Sequence, residues 1–362
     1  MTASAAARRS VPSLAATSAL APQLRRFTSV AAVTLLGIII VSAFLMPLGY
    51  MTTTAFKNKS QVTDPSAPLW PAVPDTFSYQ GEDLPIYEVP TEDGLQLWAL
   101  LEPHRNESLF IDPADPDAGP IEWEGRWRTL TQAWKLSLNL DNFAQAWRIL
   151  DFGRLFFNSF TIAIVGTIGT LLSSICVAYG FSRFRFPGRN GLFMLLLSTI
   201  ILPFQVTLIP TYAVFSAIGW VGTWLPLIVP HFFANAYNVF LLRQYFITIP
   251  RDLDEAAMID GASPFRILRS VIVPQAKAAI VAVGLFHFFW AWNDYFLPLI
   301  YLQGRPDLQP LSVGIASFRS IYDVEPTLMQ AASLMTMALP VLVFFLAQRA
   351  FMRGVVFSGV EK

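Results

Sequence analysis

Six apolar stretches constrain this chain more than any other feature. They run roughly Phe27–Tyr50, Phe156–Phe181, Gly191–Phe215, Trp224–Leu242, Ala278–Leu302 and Leu328–Ala347. A helix needs about 20 residues to cross the hydrocarbon core of a bilayer, and each stretch is long enough or nearly so. Composition agrees. The chain is 54% hydrophobic and 14% charged, whereas a soluble domain is about a quarter charged. Its 30 phenylalanines and 10 tryptophans suit a lipid-embedded protein with interfacial anchors. The 25 Lys+Arg balance 25 Asp+Glu, which argues against nucleic-acid binding. A single cysteine, Cys176, excludes an intramolecular disulfide framework and a cysteine-based zinc site. Three scattered histidines, His104, His231 and His287, argue against a metal cluster. The expected fold class is an all-α polytopic membrane protein with six transmembrane helices, and neither metal nor cofactor is expected.

Charge sets the expected orientation. Residues 1–26 carry Arg8, Arg9, Arg25 and Arg26 with no acid, and the loop after the second stretch carries Arg183, Arg185 and Arg189 with none. The tail carries Arg349, Arg353 and Lys362 against Glu361. The positive-inside bias assigns all three to the cytoplasm, with both termini on that side. Arg25 and Arg26 before an apolar run resemble a secretory leader, but the run exceeds the roughly 7–15 residues of such a segment and no A-x-A site follows it. The first stretch therefore reads as a retained span.

Residues 51–154 hold 16 acids and 8 bases and belong outside. Six tryptophans (Trp70, Trp98, Trp123, Trp127, Trp134 and Trp147) set this segment apart from disordered chains, which are poor in aromatics. Ile86–Val89, the turn Thr91-Glu92-Asp93-Gly94 and Leu95–Leu101 read as strand, turn and strand. Ser108–Ile111 and Ile121–Trp127 are further strand candidates, kept short by ten prolines between Pro65 and Pro120. The segment is expected to form a small β-rich extracytoplasmic insert. Asp112, Asp115 and Asp117 lack the spacing and glycine of a known calcium loop and read as a solvated acidic loop. The expected organisation is a cytoplasmic tail at 1–26, the first helix at 27–50, the insert at 51–154, five helices at 155–348 and a cytoplasmic tail at 349–362.

The longest cytoplasmic loop, 243–277, contains Arg251-Asp252-Leu253-Asp254-Glu255-Ala256-Ala257-Met258-Ile259-Asp260-Gly261-Ala262-Ser263-Pro264-Phe265. Asp252 or Asp254 is a candidate cap for a short helix of good helix formers. Gly261 suits the positive φ that ends a helix. Ser263 can cap a second helix with Pro264 in its first position, and Pro274 marks the entry to the next span. Two short amphipathic helices joined by a glycine turn are expected on the cytoplasmic face.

This loop resembles the EAA motif of ABC-importer permeases, in which Glu-Ala-Ala is followed at fixed intervals by Gly and then by aliphatic-x-aliphatic-Pro. Glu255-Ala256-Ala257, Gly261, Val271, Val273 and Pro274 fall at those spacings, with Val in place of the commoner Ile and Leu. The Asp260-Gly261-Ala262-Ser263 run is similar to the carbohydrate-uptake, maltose-type branch. Asn158-Ser159, Ala178-Tyr179, Ser182-Arg183-Phe184-Arg185-Phe186-Pro187-Gly188-Arg189, Leu241-Leu242-Arg243-Gln244, Trp292-Asn293-Asp294, Gln348-Arg349 and Arg353-Gly354 extend the match from about residue 140 to the C-terminus, with the first span in addition. The long first outer loop departs from the family, and it leaves the contact with a binding protein open.

The resemblance implies an ABC-importer permease core whose EAA loop is the coupling helix that docks in a cytoplasmic ATPase. Glu255 would meet polar or basic groups of that cleft, Ala256 and Ala257 permit close approach, and Asp260, Gly261, Ala262 and Ser263 complete the docking turn. The tail, with Arg353, Gly354, Ser358 and Gly359, resembles the one that the second maltose-type permease subunit sets between the two ATPase copies. Implied partners are a homologous first permease, two ABC ATPase subunits, an extracytoplasmic solute-binding protein and membrane lipid, with no nucleic acid.

Polar residues within the spans are candidates for the translocation path. Asp294 could sit at a gate, bond a neighbouring helix or touch solute, since a charge within a span usually faces protein or water. Gln205, Asn235, Asn238 and Asn293 could bond solute hydroxyls or neighbouring helices. No phosphate-binding G-x-x-x-x-G-K-[ST] loop occurs, and no acid–base or nucleophilic constellation is evident. The expected function is therefore a transport subunit, not an enzyme, carrying half of a carbohydrate path in the inner membrane. The alternatives are a permease for a glycerol phosphate or polyol, and a membrane sensor or scaffold that acts through the outer domain.

Overall fold

The computed structural model describes residues 17–92, 94–319 and 324–356, with side chains between 26 and 348 in those ranges. It divides into two compact units between Thr53 and Thr54. The first is nearly all of helix α1, Thr17–Ala55, whose side chains from Phe27 to Met46 are exposed. The second holds α2 (Asp141–Leu150), α3 (Phe152–Arg183), α4 (Arg189–Ser198), α5 (Phe204–Ala217), α6 (Ala236–Thr248), α7 (Asp252–Ile259), α8 (Lys277–Asn293) and α9 (Pro326–Val356). Shorter helical turns join them.

Among the described residues, four helical segments are long and apolar enough to cross a membrane, and two sharply bent pairs each reach that length together. Three expected spans are therefore not straight helices. Gly191–Phe215 is two helices meeting at 98° around Leu202-Pro203, because Pro203 lacks an N–H and clashes with the preceding turn. Trp224–Leu242 passes through a 3-10 turn, Val229–Phe232, and restarts at α6 with Asn235 as its cap. Ala278–Leu302 stops at Asn293 and resumes as Phe296–Tyr301. There the Asp294 carboxylate accepts a hydrogen bond from the Leu297 amide at 3.3 Å.

Helix α3 is the centre of the packing. Its buried face is small: Ala163, Gly166, Thr167, Thr170, Ser174 and Ala178 lie one turn apart. Small residues let backbones approach closely where hydrophobic burial between helices is weak. A Cβ on Gly169 would stand 2.6 Å from the Phe232 ring and one on Gly166 would stand 3.0 Å from His231, so glycine admits the 3-10 turn to the face of α3. Phe288 and Trp292 of α8 and Leu328 and Ala332 of α9 pack on its first half. Val239, Leu242 and Phe246 of α6 pack on its last half, with Ile267, Leu268 and Ile272 beyond them.

Between α1 and α2 lie two antiparallel sheets. Strands β1 (Ala72–Pro74) and β8 (Trp134–Leu136) form a neck. β2 (Thr76–Tyr79), β3 (Glu82–Thr91), β4 (Gly94–Glu102), β5 (Glu107–Ile111) and β6 (Ile121–Glu124) follow in order, and β7 (Thr131–Gln132) returns to pair with β3. The β3–β4 register closes at Thr91 opposite Gly94, where glycine takes φ +114°. Val89, Leu100 and Phe110 form one core under Trp98, Trp123 and Trp127. The strand expected at Ile121–Trp127 ends at Glu124, and Trp127 lies in a 3-10 turn. Asn142 of α2 donates to the carbonyls of Ala55 and Lys57, both at 2.8 Å, and so anchors the chain that leads into the neck.

The C-terminal end of α3 holds the loop 243–277. The Phe181 carbonyl accepts from Arg243 Nε and the Ser182 carbonyl accepts from Arg251 Nη2, each at 3.4 Å. These carbonyls have no intrahelical partner, and cations suit the negative end of a helix. Neither Asp252 nor Asp254 caps α7 as expected; both lie in its first turn, and Arg251 holds the cap position without a side-chain bond. The Asp254 carboxylate instead turns inward to Arg183, with Nε 2.9 Å from Oδ2 and both side chains under 10% exposed. Arg183 Nη2 also donates to the Ile249 carbonyl at 3.0 Å. Burial pushes the Asp254 carboxyl above its ordinary range, opposed by Arg183 and Arg251.

Removing one partner of a buried pair strands the other, at about 3–5 kcal/mol. Asp254→Asn leaves a guanidinium that cannot deprotonate, whereas Arg183→Met leaves a carboxyl that can take up a proton. Asp254→Asn should therefore lower the thermal midpoint of the purified protein more. A raised carboxyl pKa penalises the folded state only where the group ionises. The Arg183→Met deficit should accordingly shrink as pH falls toward the ordinary aspartate range, while the Asp254→Asn deficit, measured against a wild type that keeps the titrating carboxyl, should not shrink. Equal, pH-independent losses would contradict this account of the pair.

Candidate coupling site and translocation path

The end of α7 follows from its sequence. Gly261 takes φ +74°. The Ala262 amide donates to the Ala257 carbonyl at 2.9 Å and the Gly261 amide donates to Met258 at 3.0 Å. This double bond pattern is a Schellman turn, in which residues Ala257 and Ala262 touch across the helix end. Both pack on the apolar cluster around Leu242 and Phe246. Ser263 then caps the turn Pro264–Ile267, its hydroxyl accepting from the Arg266 amide at 3.4 Å. Tyr179 of α3 donates to the Pro264 carbonyl at 3.2 Å.

The two alanines of the motif thus face opposite ways. Ala257 packs inward, whereas Glu255 and Ala256 are exposed with Asp260, Gly261 and Ser263. Met258, Ile259 and Phe265 complete an apolar ledge on the same loop, with Ile259 87% exposed and Phe265 69%. Glu255 thus stands with three exposed apolar side chains on a loop held from behind by Asp254 and Arg183.

The path candidates separate. One cavity, about 170 Å³, is lined by Ser159, Thr207, Thr211, His231, Trp290 and Asp294 among others. A second, about 290 Å³, is lined by His231, Asn235, Tyr237, Asn238, His287 and Trp290 with Phe286. Asn235 spends its side-chain oxygen on the amides of Tyr237 and Asn238. Asn293 donates to the Phe289 carbonyl of its own helix at 2.8 Å and lines neither cavity. Gln205 is exposed. Sequence reasoning missed His231 and His287, whose rings meet at 4.7 Å, and Trp290, within 6 Å of both. His287 and Trp290 lie one turn apart on α8, but His231 comes from a separate element far off in sequence, so no local spacing signals the cluster. Arg183 was visible as a positive charge and as part of the run that extends the family match, not as the partner of Asp254. In the tail, Arg353 and Gly354 fall in the helical backbone of α9, while Ser358 and Gly359 lie outside the described residues.

The family of binding-protein-dependent transport system inner membrane components matches residues 167–356. The osmoprotective compounds uptake permease protein GgtD of Synechocystis sp. is 34% identical over 258 residues, covering 70% of this chain and 85% of that protein. The sn-glycerol-3-phosphate transport system permease protein UgpE of Pectobacterium atrosepticum is 37% identical over 209 residues, 57% of this chain and 74% of that one. The alpha-glucoside transport system permease protein AglG of Rhizobium meliloti is 29% identical over 231 residues, 61% and 60% of the two chains. In fold, the chain is similar to a bacterial ABC transporter involved in the import of the acidic polysaccharide alginate, with TM-score 0.64 at 18% identity, over 90% of this chain and 97% of that one. The chain belongs to the binding-protein-dependent permeases: it is a multi-pass inner-membrane subunit of an ABC importer, not itself an enzyme, and works with a second permease, an ATPase and a solute-binding protein.

Proposed function

We propose that this chain forms half of the translocation path for a carbohydrate and takes the place of the second permease subunit. In this reading it crosses the membrane six times, with the pair bent at Pro203 counting as one span and Lys277–Asn293 continued by Phe296–Tyr301 as another, both termini and the loop 243–277 in the cytoplasm and residues 51–154 outside. The exposed ledge of Glu255, Ala256, Met258, Ile259 and Phe265 supports docking to the ATPase, because its apolar side chains have no cover within the described chain. Glu255 supplies the charge that orients the contact, and Asp260 to Ser263 supply the turn. Arg353, Gly354, Ser358 and Gly359 are assigned to a second, tail-borne contact with the ATPase. Asn235, Asn238 and Asp294 belong to the path through the cavities they line, and Asn293 to its helix. Glycerol phosphate is the second reading, favoured by the similarity to UgpE.

Closure of the ATPase dimer would push the ledge. The loop is fixed to α3 by the Arg183–Asp254 pair and to α6 by packing, so the push reaches the helices that line the cavities. Glu255→Lys should leave the importer assembled in the membrane but lower both uptake and binding-protein-stimulated ATPase activity at least tenfold in reconstituted vesicles. Normal uptake by this variant would remove Glu255 from the contact.

The outer sheets are assigned to docking of the solute-binding protein, supported by the acidic balance of residues 51–154 and their tether at the mouth, which gives a high effective concentration. The Asp75 amide donates to the Ala133 carbonyl at 2.8 Å, so a short Gly/Ser bridge between these residues can replace everything between them. That deletion should leave ATPase assembly intact while weakening binding-protein docking at low salt, where exposed charges are least screened. Unchanged docking affinity would overturn the assignment.

A further inference from the structure

The break in the span before α6 carries more than a change of direction. Irregular backbone at membrane depth persists only where protein buries it or where it lines a water-filled cavity. Here the 3-10 turn Val229–Phe232 and the residues up to Asn235 border both cavities through His231 and Asn235. Asn238 lies one turn into α6, only 6% exposed, and lines the second cavity. Its backbone amide donates to Asn235, but its carboxamide has no hydrogen-bond partner within the described chain. The carboxamide keeps access to the second cavity, where a passing polar group can bond it. Neighbouring polar groups are already engaged: His287 Nε2 lies 3.2 Å from Thr170 Oγ1. Trp290 is 53% exposed and His231 shares its position at the junction of the two cavities. Trp290 and His231 each line both cavities, so a solute in either one meets these two rings.

The lining also has a chemical bias. Among the described residues no lysine or arginine lines either cavity, and Asp294 stands in the first. A phosphate ester entering here would leave water without a cation to pair with, at a large desolvation cost. A sugar or polyol exchanges hydroxyl–water bonds for bonds to an amide and presents C–H groups to the indole.

We propose that Asn238, Trp290 and His231 form a solute subsite at this break, built for a neutral polyhydroxylated solute and unfavourable to a phosphate ester. It rests on the reading of this chain as half of a solute path and narrows that reading to one solute class. The test uses the full importer in vesicles, with Cys176→Ser as background and Asn238→Cys or Trp290→Cys added singly. Each thiol is treated with a neutral probe, hydroxyethyl methanethiosulfonate, and an anionic one, sulfonatoethyl methanethiosulfonate, and each rate is divided by that reagent's rate with 2-mercaptoethanol. The neutral probe should react at least tenfold faster than the anion at both positions. Equal or faster reaction with the anion would overturn the proposed selectivity. No reaction of either probe at either position would overturn the subsite. These rates are read with or without turnover. Failure of the permease reading shows separately, as absence of ATP-driven uptake in the unmodified importer.

Discussion

The attachment of the loop 243–277 to the C-terminal end of α3 is the contact on which the rest depends. The last carbonyls of a helix need partners, and Arg243 and Arg251 supply them at Phe181 and Ser182. The buried Arg183–Asp254 pair then fixes α7 from its inner side, and the Schellman turn at Gly261 sets Ala257 and Ala262 against the core. With that side closed, the outer side of the loop is free to be a contact surface. The same α3 carries the glycines that admit the His231 turn. One helix thus joins the proposed coupling surface to the proposed path.

A buried ion pair is weak as a source of stability, because desolvation offsets most of its attraction. Its value here is geometric. Arg183 and Asp254 belong to segments that must move together if a push on the ledge is to reach the cavities. Apolar packing around Phe246 and Ile272 supplies the burial, while the charges and carbonyl bonds select one orientation of α7. The helix breaks work alongside this. The 98° bend at Pro203 and the restart at Asn235 bring polar groups into apolar spans, where backbone irregularity is tolerated only beside protein or water.

Much of this was legible in the sequence, for physical reasons that differ by element. The glycine turn and the Ser263 cap depend on residues next to each other, so local rules found them. The alternation around Ile86–Val89 and Leu95–Leu101 marked strands that lie within β3 and β4. Hydropathy located the spans but not their breaks, since an apolar window averages over Pro203 and Pro230. Asp254 was read, as the alternative to Asp252, as a helix cap because the rule for caps looks only along the helix, and its real partner comes from the end of α3. The His231–His287–Trp290 cluster was invisible for the same reason: His231 reaches the other two from a different element. Asn293 and Asn238 looked equivalent as polar residues in apolar spans. Only the fold separates an amide that bonds its own helix from one that has no partner.

The central claim is that α7 and the end of α3 move as one lever. Spin labels on Ile259→Cys, exposed on the ledge, and Arg185→Cys, exposed just beyond α3, in a Cys176→Ser background of the full importer, report the distance across the joint by pulsed electron resonance. The account predicts the same distance with and without ATP bound to the partner ATPase, while the distance from Ile259→Cys to a label on the second permease's corresponding loop changes. A change within this chain as large as the change between the two permeases would contradict the lever and leave the Arg183–Asp254 pair without its proposed role.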